Sequence, residues 1–253
     1  SSPRQSTMYT EASLPLRKRR SAAAARALGC RSVAFTYNDP VIFMEYAADI
    51  AVECRRLGIR TVAVTAGYMC DEPRRWFYRH MDAANVDLKG FTDRFYRAVC
   101  GARLADIQET LVYLKRETGV WLEITTLLIP GENDDPAEVD AMTQWVRQEL
   151  GPDVPLHFTA FHPDYKMMDH PPTPPATLSR SRDIAMRNGL HFVYTGNVRD
   201  PEGGGTYCPG CGRLAIGRDG YDITAWNLRE GCCGSCGHAI AGVFEDSHGS
   251  WGA

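Results

Sequence analysis

From residue 30 to 195 the chain alternates short β-rich runs with helical stretches, and that alternation constrains its fold more than any other feature. The β-rich runs are SVAFTY (32–37), TVAVT (61–65), NVDL (85–88), WLEITTLLI (121–129), LHFTAF (156–161) and HFVYT (191–195). Several are apolar almost throughout, as expected of parallel strands covered on both faces. Helical patterns fill the gaps at 41–58, 105–119, 136–151 and 176–189. Gly58 and Gly119 stand where a helix ends on a C′ glycine. Asp135 and Pro136 form an N-cap followed by a first-turn proline. Repeated β–loop–α units predict an α/β parallel sheet or partial barrel, with ligands bound where the strands end.

At 253 residues the chain is long enough for one such domain plus a small appendage. The net charge of −3 offers no broad basic surface, so neither nucleic acid nor an acidic membrane is an expected partner. Basic residues at 17–20 are followed by no apolar segment, which excludes a secretory signal there and makes a cytoplasmic location the expectation. The division expected is an N-terminal segment and helix (1–30), a partial barrel (31–200), a C-terminal ribbon (205–245) and a flexible tail (246–253).

Five of the nine cysteines fall between 208 and 236. Cys208-Pro-Gly-Cys211-Gly and Cys233-Gly-Ser-Cys236-Gly are two C-x-x-C-G knuckles. In a reducing compartment this spacing predicts one structural zinc held by Cys208, Cys211, Cys233 and Cys236. Cys232 could replace its neighbour, although the knuckle spacing favours Cys233. Between the knuckles, RLAIGRDGYDITAWNL supplies two strand-like runs around a DG turn. Acidic residues outnumber basic ones from 207 to 246, which argues against nucleic-acid binding by the ribbon.

The polar residues after each strand run form a series. They are Thr36-Tyr37-Asn38-Asp39-Pro40, Thr65-Ala66-Gly67-Tyr68, Asp87-Leu88-Lys89-Gly90, Pro130-Gly131-Glu132-Asn133-Asp134, His162-Pro163-Asp164-Tyr165-Lys166 and Gly196-Asn197-Val198. With AFTYNDPVIFMEYA, DAANVDLKGF, YRAVCGARL, WLEITTLLIPGEND, FHPDYKMMDHPPTP, YTGNV and TYCPGCG, this series resembles the radical SAM enzymes. Within them it is similar to the AmmeMemoRadiSam system branch, a relative of the pyruvate formate-lyase activating enzymes.

The resemblance implies a partial (βα) barrel, S-adenosylmethionine (SAM) and a [4Fe–4S] cluster. The cluster's electron splits SAM to a 5′-deoxyadenosyl radical, which abstracts hydrogen from a substrate, here unidentified, with a protein as one candidate. By position, the Thr36–Pro40 turn places Asn38 and Asp39 at the SAM amino group. Thr65 lines the methionine side, Asp87 and Lys89 approach the ribose or carboxylate, and Pro130 to Asn133 lie by the adenine. His162, Asp164, Tyr165 and Lys166 face the substrate. A carboxylate for the ammonium and a lysine for the carboxylate make chemical sense of the pair Asp39 and Lys89.

The chain departs from the pattern in one essential respect: it has no C-x-x-x-C-x-x-C triplet, and Cys30, Cys54, Cys70 and Cys100 are too scattered to replace it. Asp39 stands where the family has Glu, and Ala66 where it has Asn. The expected place for the triplet and its strand is upstream of Ser1, through a late start, a split gene or a cut chain. This chain alone would then be inactive. The alternatives are a cluster-free relative that binds SAM or a partner, and an unrelated zinc hydrolase using His157 and His162.

Overall fold

The computed structural model describes residues 14–245 and 247, with side chains from residue 19. The expected flexible tail lies almost wholly outside these residues, as do residues 1–13 of the N-terminal segment. Helix α1 (Leu14–Ala27) leads into β1 (Ser32–Phe35), and a 3₁₀ turn at Pro40–Phe43 precedes α2 (Met44–Arg56). Then follow β2 (Arg60–Thr65), α3 (Asp71–Tyr78), β3 (Ala83–Asp87), a short α4 (Asp93–Phe95) running into a π turn at Tyr96–Cys100, and α5 (Leu104–Glu117). The sheet continues with β4 (Trp121–Leu128), α6 (Pro136–Glu149), β5 (Leu156–Ala160), α7 (Pro175–Arg187) and β6 (Val193–Gly196).

The six strands form one sheet in the order β1-β2-β3-β4-β5-β6, every neighbouring pair parallel. Sequential order without reversal is the winding of a barrel; a doubly wound sheet would reverse and put helices on both faces. Burial agrees. Along β4 the residues Leu122, Ile124, Thr126 and Leu128 are buried, whereas Trp121, Glu123, Thr125 and Leu127 are not. β3 and β5 alternate in the same way. Helices therefore cover one face, and the other is a half-open polar surface carrying Asn85, Asp87, Glu123, Thr125, His157 and Tyr194.

The principal core lies between that covered face and the helices, with Phe77, Phe95, Leu111, Leu114, Ile124, Val146 and Phe158 wholly or almost wholly buried. β1 and β6 are the two edges of the sheet. No helix among the described residues is long and apolar enough to cross a membrane.

Asp135 caps α6 by accepting from the Ala137 amide at 2.7 Å, as its sequence predicts. Gly58 takes a left-handed φ of 71° just beyond α2. Gly119 does not act as expected: it is absent from the positive-φ glycines, and α5 instead ends on Thr118, whose hydroxyl donates to the Leu114 carbonyl at 2.6 Å. The side chain meets the loose carbonyl, so no left-handed residue is required.

Beyond β6, a one-turn α8 (Pro201–Gly204) leads to β7 (Thr206–Tyr207), which pairs with a hairpin of β8 (Leu214–Asp219) and β9 (Asp222–Trp226). The hairpin turns through Gly220 and Tyr221, with Gly220 at φ 59°. β10 (Leu228–Arg229) and β11 (Cys232–Cys233) complete this small second unit.

Candidate functional site

The carboxyl ends of the strands bring most of the expected residues to one rim, but with unequal freedom. Asp39 is engaged by the protein itself. Its Oδ1 accepts from the Thr65 hydroxyl at 2.7 Å and the Val41 amide at 3.1 Å, and its Oδ2 from the Ala66 amide at 2.8 Å. The shorter carboxylate thus ties the turn after β1 to the end of β2. Thr65 is spent in the same knot: it is buried, and its oxygen also accepts from the Gly67 amide at 3.0 Å. Gly67 has no room for a side chain, since an added Cβ would come within 2.8 Å of Val86 Cγ1 at a φ of +70°.

Asn133 is likewise internal. Only 2% exposed, it accepts from the Ile129 amide at 2.6 Å and donates to the carbonyls of Lys89 at 2.5 Å and Leu127 at 2.8 Å. It clamps the turn after β4 onto the turn after β3, and its polar atoms are all used. Pro130 is half-buried beside it.

Asp87 and Lys89 are the exception. They form an ion pair at 2.8 Å and both remain partly open, with 31% and 39% of their side-chain surface exposed. The pair leaves Asp87 Oδ1 and two N–H groups of Lys89 without a partner among the described residues. The Lys89 amide donates to the Tyr96 hydroxyl at 3.0 Å, which fixes the turn from beneath. Burial pushes the Tyr96 phenol up, so it stays neutral. Thr36 and Asn38 are exposed at the end of β1, beside Tyr37 at a left-handed φ of 68°.

His162, Asp164, Tyr165 and Lys166 are all exposed on the 161–175 loop. Asp164 accepts from the Tyr165 amide at 2.7 Å, and the Lys166 ammonium lies 5.2 Å from the Tyr165 ring centre. What fixes this loop escaped the sequence reading. Thr173 accepts from the Phe161 amide at 2.9 Å and donates to the Leu128 carbonyl at 2.6 Å. His170 meets Asp169 at 2.9 Å and Glu132 at 3.3 Å, linking the loop to the turn after β4. Nothing in the local sequence marks these two residues, because their partners lie on another strand end.

Asp169 first and Glu132 second hold the His170 imidazole above its ordinary value of 6.5. A raised folded value means the clamp is fully present below pH 6.5 and is lost as pH climbs through the higher value. Hydrogen exchange should therefore show the Thr173 amide keeping its protection below pH 6.5 and losing it as pH climbs above that, beyond the intrinsic acceleration. A Glu132→Gln chain should show a smaller loss, and identical profiles would refute the link.

The sulfur groups divide clearly. Burial pushes the Cys54 and Cys100 thiols up, which leaves them protonated and poor ligands. The four thiols of Cys208, Cys211, Cys233 and Cys236 instead lie within 4.8 Å of one another, with Cys208–Cys236 at 3.6 Å and Cys211–Cys233 at 3.8 Å. Backbone amides of Ser235 and Cys236 draw the Cys233 thiol down to about 6. A tetrahedral ion with metal–sulfur bonds of about 2.3 Å has sulfurs about 3.8 Å apart. Thiolates on a four-iron cluster each hold a different iron and stand farther apart than this. Cys232 is outside the group.

No second group of three or more metal-ligating side chains occurs among the described residues, so the residues present do not fit a [4Fe–4S] cluster at the rim. His157 and His162 join no such group either. His157 pairs instead with Glu123, at 2.8 Å.

A sequential parallel sheet with one helix-covered face and a polar rim at its carboxyl end is a partial (βα) barrel, and its sequence places the chain in the radical SAM superfamily. The family model matches residues 10–142. An uncharacterized protein of Methanocaldococcus jannaschii, MJ0808, is 41% identical over 213 residues, which are 83% of this chain and 63% of that protein. The chain thus spans under two thirds of that relative's length.

Among solved structures, a domain of pyruvate-formate lyase-activating enzyme from Bacteroides vulgatus superposes with a TM-score of 0.57 at 18% identity, over 65% of this chain and 98% of that one. Streptococcus suis SuiB bound to S-adenosylmethionine gives 0.59 at 13% identity, over 72% of this chain and 43% of that one. These likenesses support the fold.

Proposed function

We propose that residues 31–200 form a SAM-binding unit in which Lys89, Asp87 and Asn38 meet the amino-acid end of SAM at the carboxyl rim. The observation that carries this reading is the half-open Asp87–Lys89 pair, whose unused oxygen and N–H groups match an ammonium and a carboxylate. Asp39, Thr65 and Asn133 shape the rim from within, since their polar atoms already have partners. Given an electron from a cluster held outside this chain, bound SAM would supply the family's radical chemistry. The residues of this chain position its polar end and shield it on the helix-covered side.

The cluster is a different matter. Its ligands are not in this chain, so we assign the chain by itself SAM binding and not reductive cleavage. We assign the exposed 161–175 loop, with His162, Asp164, Tyr165 and Lys166, to the substrate side. Four exposed polar side chains on a surface loop suit a protein or peptide better than a small enclosed molecule. The kinship with activating enzymes points the same way. The four-cysteine ribbon, 205–245, holds one structural zinc in this reading.

Calorimetric titration with SAM is the test. We expect micromolar or weaker binding that falls about tenfold in Lys89→Met, a substitution at a half-exposed site with little effect on folding. No heat at millimolar SAM, or unchanged affinity in the variant, would sink the reading.

A further inference from the structure

Away from the rim, a cavity of about 940 Å³ lies between the inner face of β4–β6 and the ribbon. Small organic ligands typically occupy roughly 300–1,000 Å³. Trp121, Glu123, His157 and Tyr194 line it from the sheet, and Arg218 and Tyr221 from the β8–β9 hairpin. None of Asn38, Asp87 or Lys89 is among its lining residues, so it is separate from the proposed SAM rim.

Its polar groups are set in place by the fold. Glu123 lies deep in the molecule yet keeps 35% of its side-chain surface open, because the cavity reaches it. Its Oε1 accepts from Trp121 Nε1 at 2.9 Å and its Oε2 pairs with His157 Nε2 at 2.8 Å. Burial favours the protonated acid, but the His157 hydrogen bond, helped by Trp121, outweighs it and holds the carboxyl below its ordinary value. A carboxylate can only accept, so the proton between them sits on His157 Nε2. His157 Nδ1, the other ring nitrogen, has no hydrogen-bond partner among the described residues.

The His157 ring stacks on Tyr194, with centroids 5.0 Å apart and planes at 22°. The Arg218 guanidinium lies 5.6 Å from the centre of the same tyrosine ring. Arg218 Nη1 donates to the Gly204 carbonyl at 3.2 Å and the Thr206 hydroxyl at 2.8 Å. The guanidinium also hydrogen-bonds the Tyr194 hydroxyl, and Arg218 lines the cavity. A polar ring nitrogen, a flat aromatic wall and a cation thus converge around one tyrosine.

We infer that this cavity is a second binding site, for a small aromatic acid. Its flat ring rests against His157 and Tyr194, its carboxylate or phosphate meets Arg218, and a hydroxyl, able to donate or accept, meets His157 Nδ1. A purely apolar ligand would dehydrate Arg218 and His157 without pairing them. A polyanion would meet the carboxylates of Glu123, Asp200 and Asp219, which share the lining. The site owes nothing to SAM, so failure of the SAM titration leaves it standing.

The test is calorimetry on the whole, metal-loaded chain with three probes: 4-hydroxyphenylacetate, phenyl phosphate and the neutral 4-methylphenol. At least one anion should bind saturably and about tenfold more tightly than 4-methylphenol, and the tighter anion names the head group. Arg218→Gln should lose about tenfold in affinity for it. Arg218 also ties Gly204 to Thr206, so a second measurement uses the unaltered chain. Phenylglyoxal labelling of Arg218, read by mass spectrometry, should fall several-fold when the anion is present, while labelling of Arg60 stays constant. The inference is overturned by no saturation with either anion below about 20 mM, by equal affinity for 4-methylphenol, or by unchanged labelling of Arg218.

Discussion

Removing the metal from Cys208, Cys211, Cys233 and Cys236 is expected to unfold the C-terminal ribbon while the six-stranded sheet persists. The ribbon's own core is small: Phe192, Cys208, Ala215, Ile216, Leu228, Cys233 and Ile240. Two of these seven are members of the thiol group, and Phe192 is lent by the segment before β6. So few apolar side chains cannot offset the entropy of ordering some forty residues. In zinc-finger peptides the ion supplies an apparent 10–16 kcal/mol of folding free energy, and a comparable share is expected here. Metal analysis should find about one zinc per chain, and none after Cys208→Ser with Cys233→Ser.

Hydrogen exchange after chelation should then lose protection across 206–241, whereas amides of β2–β5 keep theirs. Retained protection in the stripped ribbon would refute the structural role. Iron in place of zinc would refute the identity, though not the mononuclear geometry read from sulfurs 3.6 to 3.8 Å apart.

That site was legible in the sequence because both knuckles are local: each C-x-x-C fixes its two thiols within one turn. The sheet was legible for a similar reason, since six apolar runs separated by helical patterns leave few ways to wind a chain. Contacts between distant strand ends were less visible. Asp39 reads in sequence as a helix entry and by resemblance as a SAM ligand. Only the pairing of β1 with β2 reveals that Thr65 and Ala66 consume its carboxylate.

Two further elements left no clear periodic trace. α3 is eight residues long, too short for an amphipathic pattern to stand out, and it carries the buried Arg74 that pairs with Asp71 at 2.8 Å. The π turn at Tyr96–Cys100 begins on the tyrosine whose hydroxyl meets the Lys89 amide, an arrangement that no propensity scale encodes. The Glu123–His157–Tyr194 cluster is the clearest case. The three residues are 34 and 37 positions apart and share no motif. They meet because parallel register sets Thr125 beside His157 and His157 beside Tyr194. Glu123 points the same way as Thr125, two residues along one strand face.

The other large effect expected is that of Asn133→Ala. The amide is almost completely buried and satisfies three backbone groups at once: the Ile129 N–H and the Lys89 and Leu127 carbonyls. Alanine would leave all three unpaired, each at about 1–3 kcal/mol, with partial relief if a water enters. A total of about 3–5 kcal/mol is expected, which for a chain of this size lowers Tm by roughly 10 °C. Asn133→Asp separates hydrogen-bond donation from shape. It keeps the acceptor for Ile129 but turns a carboxylate oxygen toward two carbonyls, so at neutral pH it should be at least as damaging as alanine. Protonation at low pH restores one donor and should narrow the gap between aspartate and asparagine, measured as denaturant midpoints across pH.

Because Asn133 holds the Lys89 main chain and not its ammonium, a surviving Asn133→Ala protein should also bind SAM more weakly. Adding Lys89→Met to it should then cost less than the tenfold expected in the parent chain. Strict additivity of the two substitutions would mean that Asn133 does not set the position of Lys89, and the turn after β4 would lose its place in the site.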